Sequence, residues 1–132
     1  TRVLVEVGEG ASVVVLESHE GPDGVGYQPN GVLEILVGDK ARVRHVRLGQ
    51  EGSDALVLST LTARLGAEVA FDSLNVVIGG AVVRHQVYLA FAGEGTNAGI
   101  RGATMIKGRQ HADTTLVVDH AVPGCNSREL FK

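Results

Sequence analysis

The chain has 132 residues, with 12 basic and 15 acidic side chains and a formal charge of −3. That balance argues against a protein held to nucleic acid by a basic face, and no apolar run approaches the roughly 20 residues of a membrane-spanning helix. A single cysteine excludes an internal disulfide framework and a Cys-only zinc site.

Glycine is unusually common at 18 residues, and Val, Ile and Thr together supply 32. Branched side chains suit a pleated surface, and glycine suits the sharp turns between short strands. The expectation is an all-β chain.

Taken in order, strand-like stretches fall at residues 2–7, 13–16, 32–37, 41–48, 55–61, 67–78, 81–91, 104–106, 114–118 and 128–131. Most have strand length or strict alternation. Residues 54–65 offer the best helical spacing, through Leu58, Leu61 and Leu65. Val57, Thr60 and Thr62 and the lack of i,i+4 charge pairs favour a strand there. Residues 19–31 are rich in turn formers and read as a protruding loop within one domain.

Similar turns open several strands: Gly8-Glu9-Gly10-Ala11, Gly38-Asp39-Lys40-Ala41, Leu65-Gly66-Ala67-Glu68 and Gly93-Glu94-Gly95-Thr96. Aligned on Ala11, Ala41, Ala67 and Thr96, they repeat at intervals of 30, 26 and 29 residues. A period of this length with two or three strands per unit fits stacked coils of a solenoid. A hairpin sandwich would favour Asn-Gly or Asp-Gly between short strands. Here both such pairs lie in the long loop, so the corners fit a parallel β-helix better.

Several residues could carry chemistry. Gly93 to Ala98 matches the dinucleotide fingerprint, but no helical period follows it, so it reads as a turn. No two of the five histidines stand two apart, which removes the His-x-His pattern of a metal-dependent jelly roll. The densest polar group is His111, Asp113, Asp119, His120 and Cys125. These are competent metal ligands at no standard spacing; the competing reading is buried polar residues hydrogen-bonded between coils. His85 shares the parity of Val83, Val87 and Leu89 and is expected to point inward, with Arg84 outward. No nucleophile elbow is present.

Residues 79–85, Gly-Gly-Ala-Val-Val-Arg-His, and the long segment 118–132 from Val118 through His120, Cys125, Ser127 and Arg128 to Lys132 resemble the core domain of the SufB/SufD family. Members of this family are scaffolds of the Suf iron–sulfur cluster assembly system. The second segment is more similar to SufD than to SufB. The resemblance implies a right-handed parallel β-helix. It implies a non-enzymatic, cytoplasmic scaffold acting with SufB-like and SufC-like partners through the full-length protein. Arg84, His85, Asp119, His120, Cys125, Ser127 and Arg128 fall on its signature positions, without an assigned role. The family's interface histidine and its docking region for the SufC ATPase lie beyond the segment matched here. No catalytic residue, cofactor or metal ligand is therefore carried over.

Both termini interrupt the pattern. The expected organisation is thus a single partial β-helix domain over residues 1–132, truncated at both ends. An exposed end coil is expected to promote self-association. Two other readings stand beside this one: a metal-dependent all-β enzyme using the His111–Cys125 cluster, and a β-solenoid that only oligomerises.

Overall fold

The computed structural model describes residues 1–132 and contains ten strands and no helix. They are β1 (Arg2–Val7), β2 (Ser12–Glu20), β3 (Asn30–Val37), β4 (Arg42–Gln50), β5 (Leu56–Leu65), β6 (Ala70–Val77), β7 (Val82–Phe91), β8 (Asn97–Thr104), β9 (His111–Asp119) and β10 (Asn126–Phe131). Odd strands form one sheet in the order β1-β3-β5-β7-β9, and even strands form a second in the order β10-β8-β6-β4-β2. Every pairing is parallel. The chain is thus a β-solenoid of five coils, each contributing one strand to either sheet. Residues 56–65 are strand, as their β-branched content indicates.

Unbroken register converts the sequence repeat into ladders of like residues. Val5, Ile35, Ala63, Leu89 and Val118 are successive rungs of one inward ladder, and Val7, Val37, Leu65 and Phe91 of the next. Across the lumen, Val13, Val43, Phe71 and Ala98 face them. Ten of these residues belong to a 16-residue apolar core, and Val5, Val13 and Val118 pack against it half-buried. Each fully buried aliphatic or Phe side chain contributes about 1.5–3 kcal/mol, which offsets the ordering of the coils.

One corner joins the two sheets in each coil, and it too is laddered. Gly10, Lys40, Glu68, Gly95 and Gly124 all have positive φ there. Gly10, Lys40 and Glu68 donate their backbone N–H groups to the Asp39, Ala67 and Glu94 carbonyls of the next corner. Lys40 and Glu68 hold the left-handed conformation without being glycine, which is uncommon outside tight turns. The register corrects the alignment of the third corner. Val69, not Ala67, is the rung beside Ala41, because Arg42 pairs with Ala70. The corner ladder is therefore Ala11, Ala41, Val69, Thr96 and Cys125, at intervals of 30, 28, 27 and 29 residues.

Candidate functional site

Between the large core and a four-residue apolar cluster of Ala55, Val57, Val77 and Val83, the lumen turns polar. Its inward rungs there are Glu17, Arg47 and Asn75 on one ladder and His45 and Ser73 on the next. Ser59 and His85 face them from the opposite sheet. Alternation alone forces these side chains inside, since each shares the parity of its apolar strand neighbours. The register then places them on adjacent coils, within hydrogen-bonding reach.

His45 Nε2 lies 2.6 Å from Glu17 Oε1 and its Nδ1 lies 2.9 Å from Ser73 Oγ. His19 Nε2 is 3.1 Å from the other Glu17 oxygen. Burial alone would raise the Glu17 pKa, but the hydrogen bonds and charge of His45 and His19 overcome it and hold the carboxyl down at about 2. Arg47 donates from Nη2 to Glu51 Oε1 at 2.9 Å and from Nη1 to Asn75 Oδ1 at 3.2 Å. Both members of that ion pair are only 2% exposed. His85 Nδ1 is 2.7 Å from Ser59 Oγ. Desolvation, reinforced by the Arg47 charge, lowers its pKa to about 3, so its imidazole is neutral across the physiological range.

Three buried polar atoms in this belt have no partner: Arg47 Nε, Glu51 Oε2 and His85 Nε2. A small cavity of about 70 Å³ is lined in part by Glu17, His19, Arg47, Ser59 and His85. The belt thus combines an ionised carboxylate, a neutral imidazole and a buried ion pair. Such groups can accept, hold or relay a proton, and two serine hydroxyls stand among them, Ser73 on the Glu17-bound His45 and Ser59 on His85; Ser73 and His45 are 3% and 1% exposed, which keeps that pair from a substrate in solution. No three His, Cys, Asp or Glu side chains are gathered at metal-holding geometry in the chain.

The sequence-selected residues lie elsewhere, apart from His85, which points inward and is 2% exposed as its parity requires. Arg84 points outward and is exposed. His111 and Asp119 sit at opposite ends of β9, roughly 26 Å apart at 3.3 Å per residue. With Asp113 and His120 they are exposed, so this group neither forms a metal centre nor belongs to a buried inter-coil network. The His120 ring lies against that of Phe91, centroids 4.7 Å apart and planes tilted by 40°, and its Nε2 is 3.5 Å from Ser127 Oγ. Arg128 is exposed on β10. Cys125 is half-buried, with Sγ 3.3 Å from the Gly93 carbonyl. One coil earlier Thr96 donates to the Gly66 carbonyl at 2.6 Å, so Cys125 repeats a structural corner contact.

The sequence reading missed Glu17, His19, Arg47 and Glu51. Their signal was present: Glu17 and His19 on the inward parity of β2, Arg47 on that of β4 and Glu51 just past its end put charge and polarity where a solenoid should be apolar, Glu17 and Arg47 one 30-residue coil apart.

The family model for the SUF system FeS cluster assembly SufBD core domain matches residues 1–132. An iron–sulfur cluster assembly SufBD family protein of Mycobacterium tuberculosis is 34% identical over 131 residues, covering 99% of this chain and 32% of the relative. The chloroplastic protein ABCI7 of Arabidopsis thaliana is 31% identical over 134 residues, covering 99% and 28%. The iron–sulfur cluster assembly protein SufD of Escherichia coli is 25% identical over 131 residues, covering 99% and 31%. The chain therefore spans about a third of the length of these relatives. No solved structure matches it at a significant level.

Proposed function

The chain belongs to the SufBD core domain family, and we propose that it is a SufD-like scaffold element of iron–sulfur cluster assembly, not itself an enzyme. The match of the family model along all of residues 1–132 carries this reading. The signature segment 118–132, more similar to SufD than to SufB, supports the finer assignment. A stack of five coils with unbroken register also suits a scaffold, because each coil fixes the next and the outer sheet faces are held rigidly.

In this reading the full-length protein works in the cytoplasm with SufB-like and SufC-like partners, and the cluster is cargo rather than a resident cofactor of this segment. No helix here is long and apolar enough to cross a membrane. Strands β9 and β10 each pair on one side only, and Leu130 and Phe131 are 53% and 42% exposed. Such edges suit association of the isolated segment with itself.

Co-expression of the full-length protein with tagged SufB-like and SufC-like proteins tests the proposal. The expected result is one complex containing all three. Recovery of the tagged pair without this protein, under conditions where each is soluble, would overturn it.

A further inference from the structure

We propose that the outer face of the even-stranded sheet docks an acidic amphipathic helix of a partner protein. This is independent of the cluster-assembly reading, since it rests on the surface alone. Unbroken register sets the outward side chains of this sheet in rows along the solenoid axis. One row begins Leu16, Val46 and Leu74, and the next contains Leu48 and Val76. Leu16 is 74% exposed, and Val14 beside it is 64% exposed. Aliphatic side chains set side by side and exposed in this way mark an interaction site.

The aliphatic rows have a basic border. Arg42, Arg44 and Arg128 are exposed in the two rows nearer the corner, Arg44 and Arg128 sharing theirs with Val14 and Asp72, and Arg101 is exposed as the fourth rung of the Leu16–Val46–Leu74 row. A shallow groove of about 520 Å³ runs past Arg101 and Arg128 over the small residues Ala70 and Gly99. Arg101 pairs with Asp72 at 3.1 Å, while the other three arginines have no ion-pair partner. This concentration of positive charge stands on a chain whose net charge is −3.

On the far side of the arginines, the corner ladder carries Glu9, Asp39, Glu68 and Glu94, with Lys40 as its one basic residue. The order across the surface is therefore acidic corner, then the two rows that hold Arg42, Arg44 and Arg128, then the aliphatic rows, the first of them continued by Arg101. A nucleic acid would bring phosphates against the acidic corner and would leave the aliphatic rows uncovered. An amphipathic helix laid along the solenoid axis satisfies both inner zones. Its apolar face covers Leu16, Val46 and Leu74, and carboxylates along one flank meet the arginines. Four strands span roughly 14 Å at about 4.8 Å spacing, the length of about ten helical residues.

The test uses fluorescence anisotropy with three labelled amphipathic 16-residue peptides. One has a leucine face and a glutamate flank, one has lysine in place of glutamate, and one scrambles the first. A labelled oligothymidine serves as the polyanion. The glutamate-flanked helix is expected to bind at least about tenfold more tightly than the other peptides and the oligonucleotide. Arg44→Glu with Arg128→Glu, and separately Leu16→Ser with Leu74→Ser, should each weaken it about tenfold. Tyr88→Ser on the opposite sheet should leave it unchanged. These side chains point outward, and circular dichroism checks that each variant folds; the peptide preference of the unaltered chain decides the matter if one does not. Equal or absent binding of the glutamate and lysine peptides would overturn the proposal. So would tighter oligonucleotide binding that depends on the arginines and ignores the leucines.

Discussion

Removing Glu51 should destabilise the chain severely, while removing the whole Arg47–Glu51 pair should not. Glu51→Ala leaves the Arg47 guanidinium 2% exposed with only Asn75, at 3.2 Å, as a partner. An uncompensated buried charge costs about 3–5 kcal/mol. That is a large part of the roughly 5–15 kcal/mol by which a domain is stable. Arg47→Met with Glu51→Leu keeps the volume and removes both charges. Replacing a buried pair in this way is often nearly neutral, and here the loss of Asn75's partner adds about 1 kcal/mol. Urea denaturation of the parent, Arg47→Met, Glu51→Leu and the double variant, followed by circular dichroism, measures the coupling. We expect it to be at least about 5 kcal/mol, since either single variant leaves one buried charge unpaired at about 3–5 kcal/mol while the double costs about 1. Gly49 gives an independent check. A Cβ there would sit 2.8 Å from Arg47 Nη1 and 2.9 Å from Glu51 Oε2, so Gly49→Ala should shift both side chains and stretch the Nη1 bond to Asn75. A Glu51→Ala cost below about 1 kcal/mol, or a double variant as unstable as the sum of the singles, would refute the reasoning.

Acid should weaken the fold through the same belt. His85 stays neutral down to about pH 3, while the unfolded chain takes up a proton from pH 6.5 downward. The depressed pKa therefore contributes stability that is complete above pH 6.5 and is lost as pH falls toward 3, at up to about 1.4 kcal/mol per pH unit. Glu17 acts with the same sign in a lower window, its stabilisation complete above pH 4.5 and lost toward about 2. Urea midpoints of His85→Leu should be flatter than those of the parent between pH 6.5 and 4.5; equal slopes would show that His85 is not held neutral. Gly93→Ala should cost more than about 2 kcal/mol by thermal melting, because its Cβ would meet the Ala67 nitrogen at 2.3 Å and backbone cannot yield as a side chain does. Anaerobic reconstitution of the isolated chain should give no stoichiometric cluster absorbance, since one thiol is too few for the usual ligation. A one-to-one chromophore lost in Cys125→Ser would contradict that.

The solenoid was legible because two periods coincide in this sequence. Alternation fixes which side chains face inward, and the glycine-marked corners fix the coil length. Where a corner lacks its glycine signal, legibility drops. Lys40 and Glu68 hold positive φ as ordinary residues, and the third corner was misaligned by two residues in consequence. The polar belt was harder to read for a different reason. His45 and Arg47 visibly share the parity of Val43, but burying charge is costly unless a partner is present. The partners Glu17, Ser73 and Asn75 become neighbours only through inter-strand register. Conversely, the His111–Cys125 group looked dense because its members are close in sequence. In an extended strand, closeness in sequence means separation along the sheet, and β9 carries His111 and Asp119 to opposite ends.

The most direct test of the scaffold account is cluster delivery to an apo-acceptor protein. The measurement compares the partner complex with and without the full-length protein that contains this chain, at equal iron, sulfide donor and ATP. The account predicts that delivery falls when the protein is left out and is restored in proportion to the protein added, saturating at a fixed ratio to its partners. Equal delivery in its absence would contradict the scaffold role. Restoration by a small catalytic fraction, with each molecule turning over many times, would contradict its assignment as a non-enzyme.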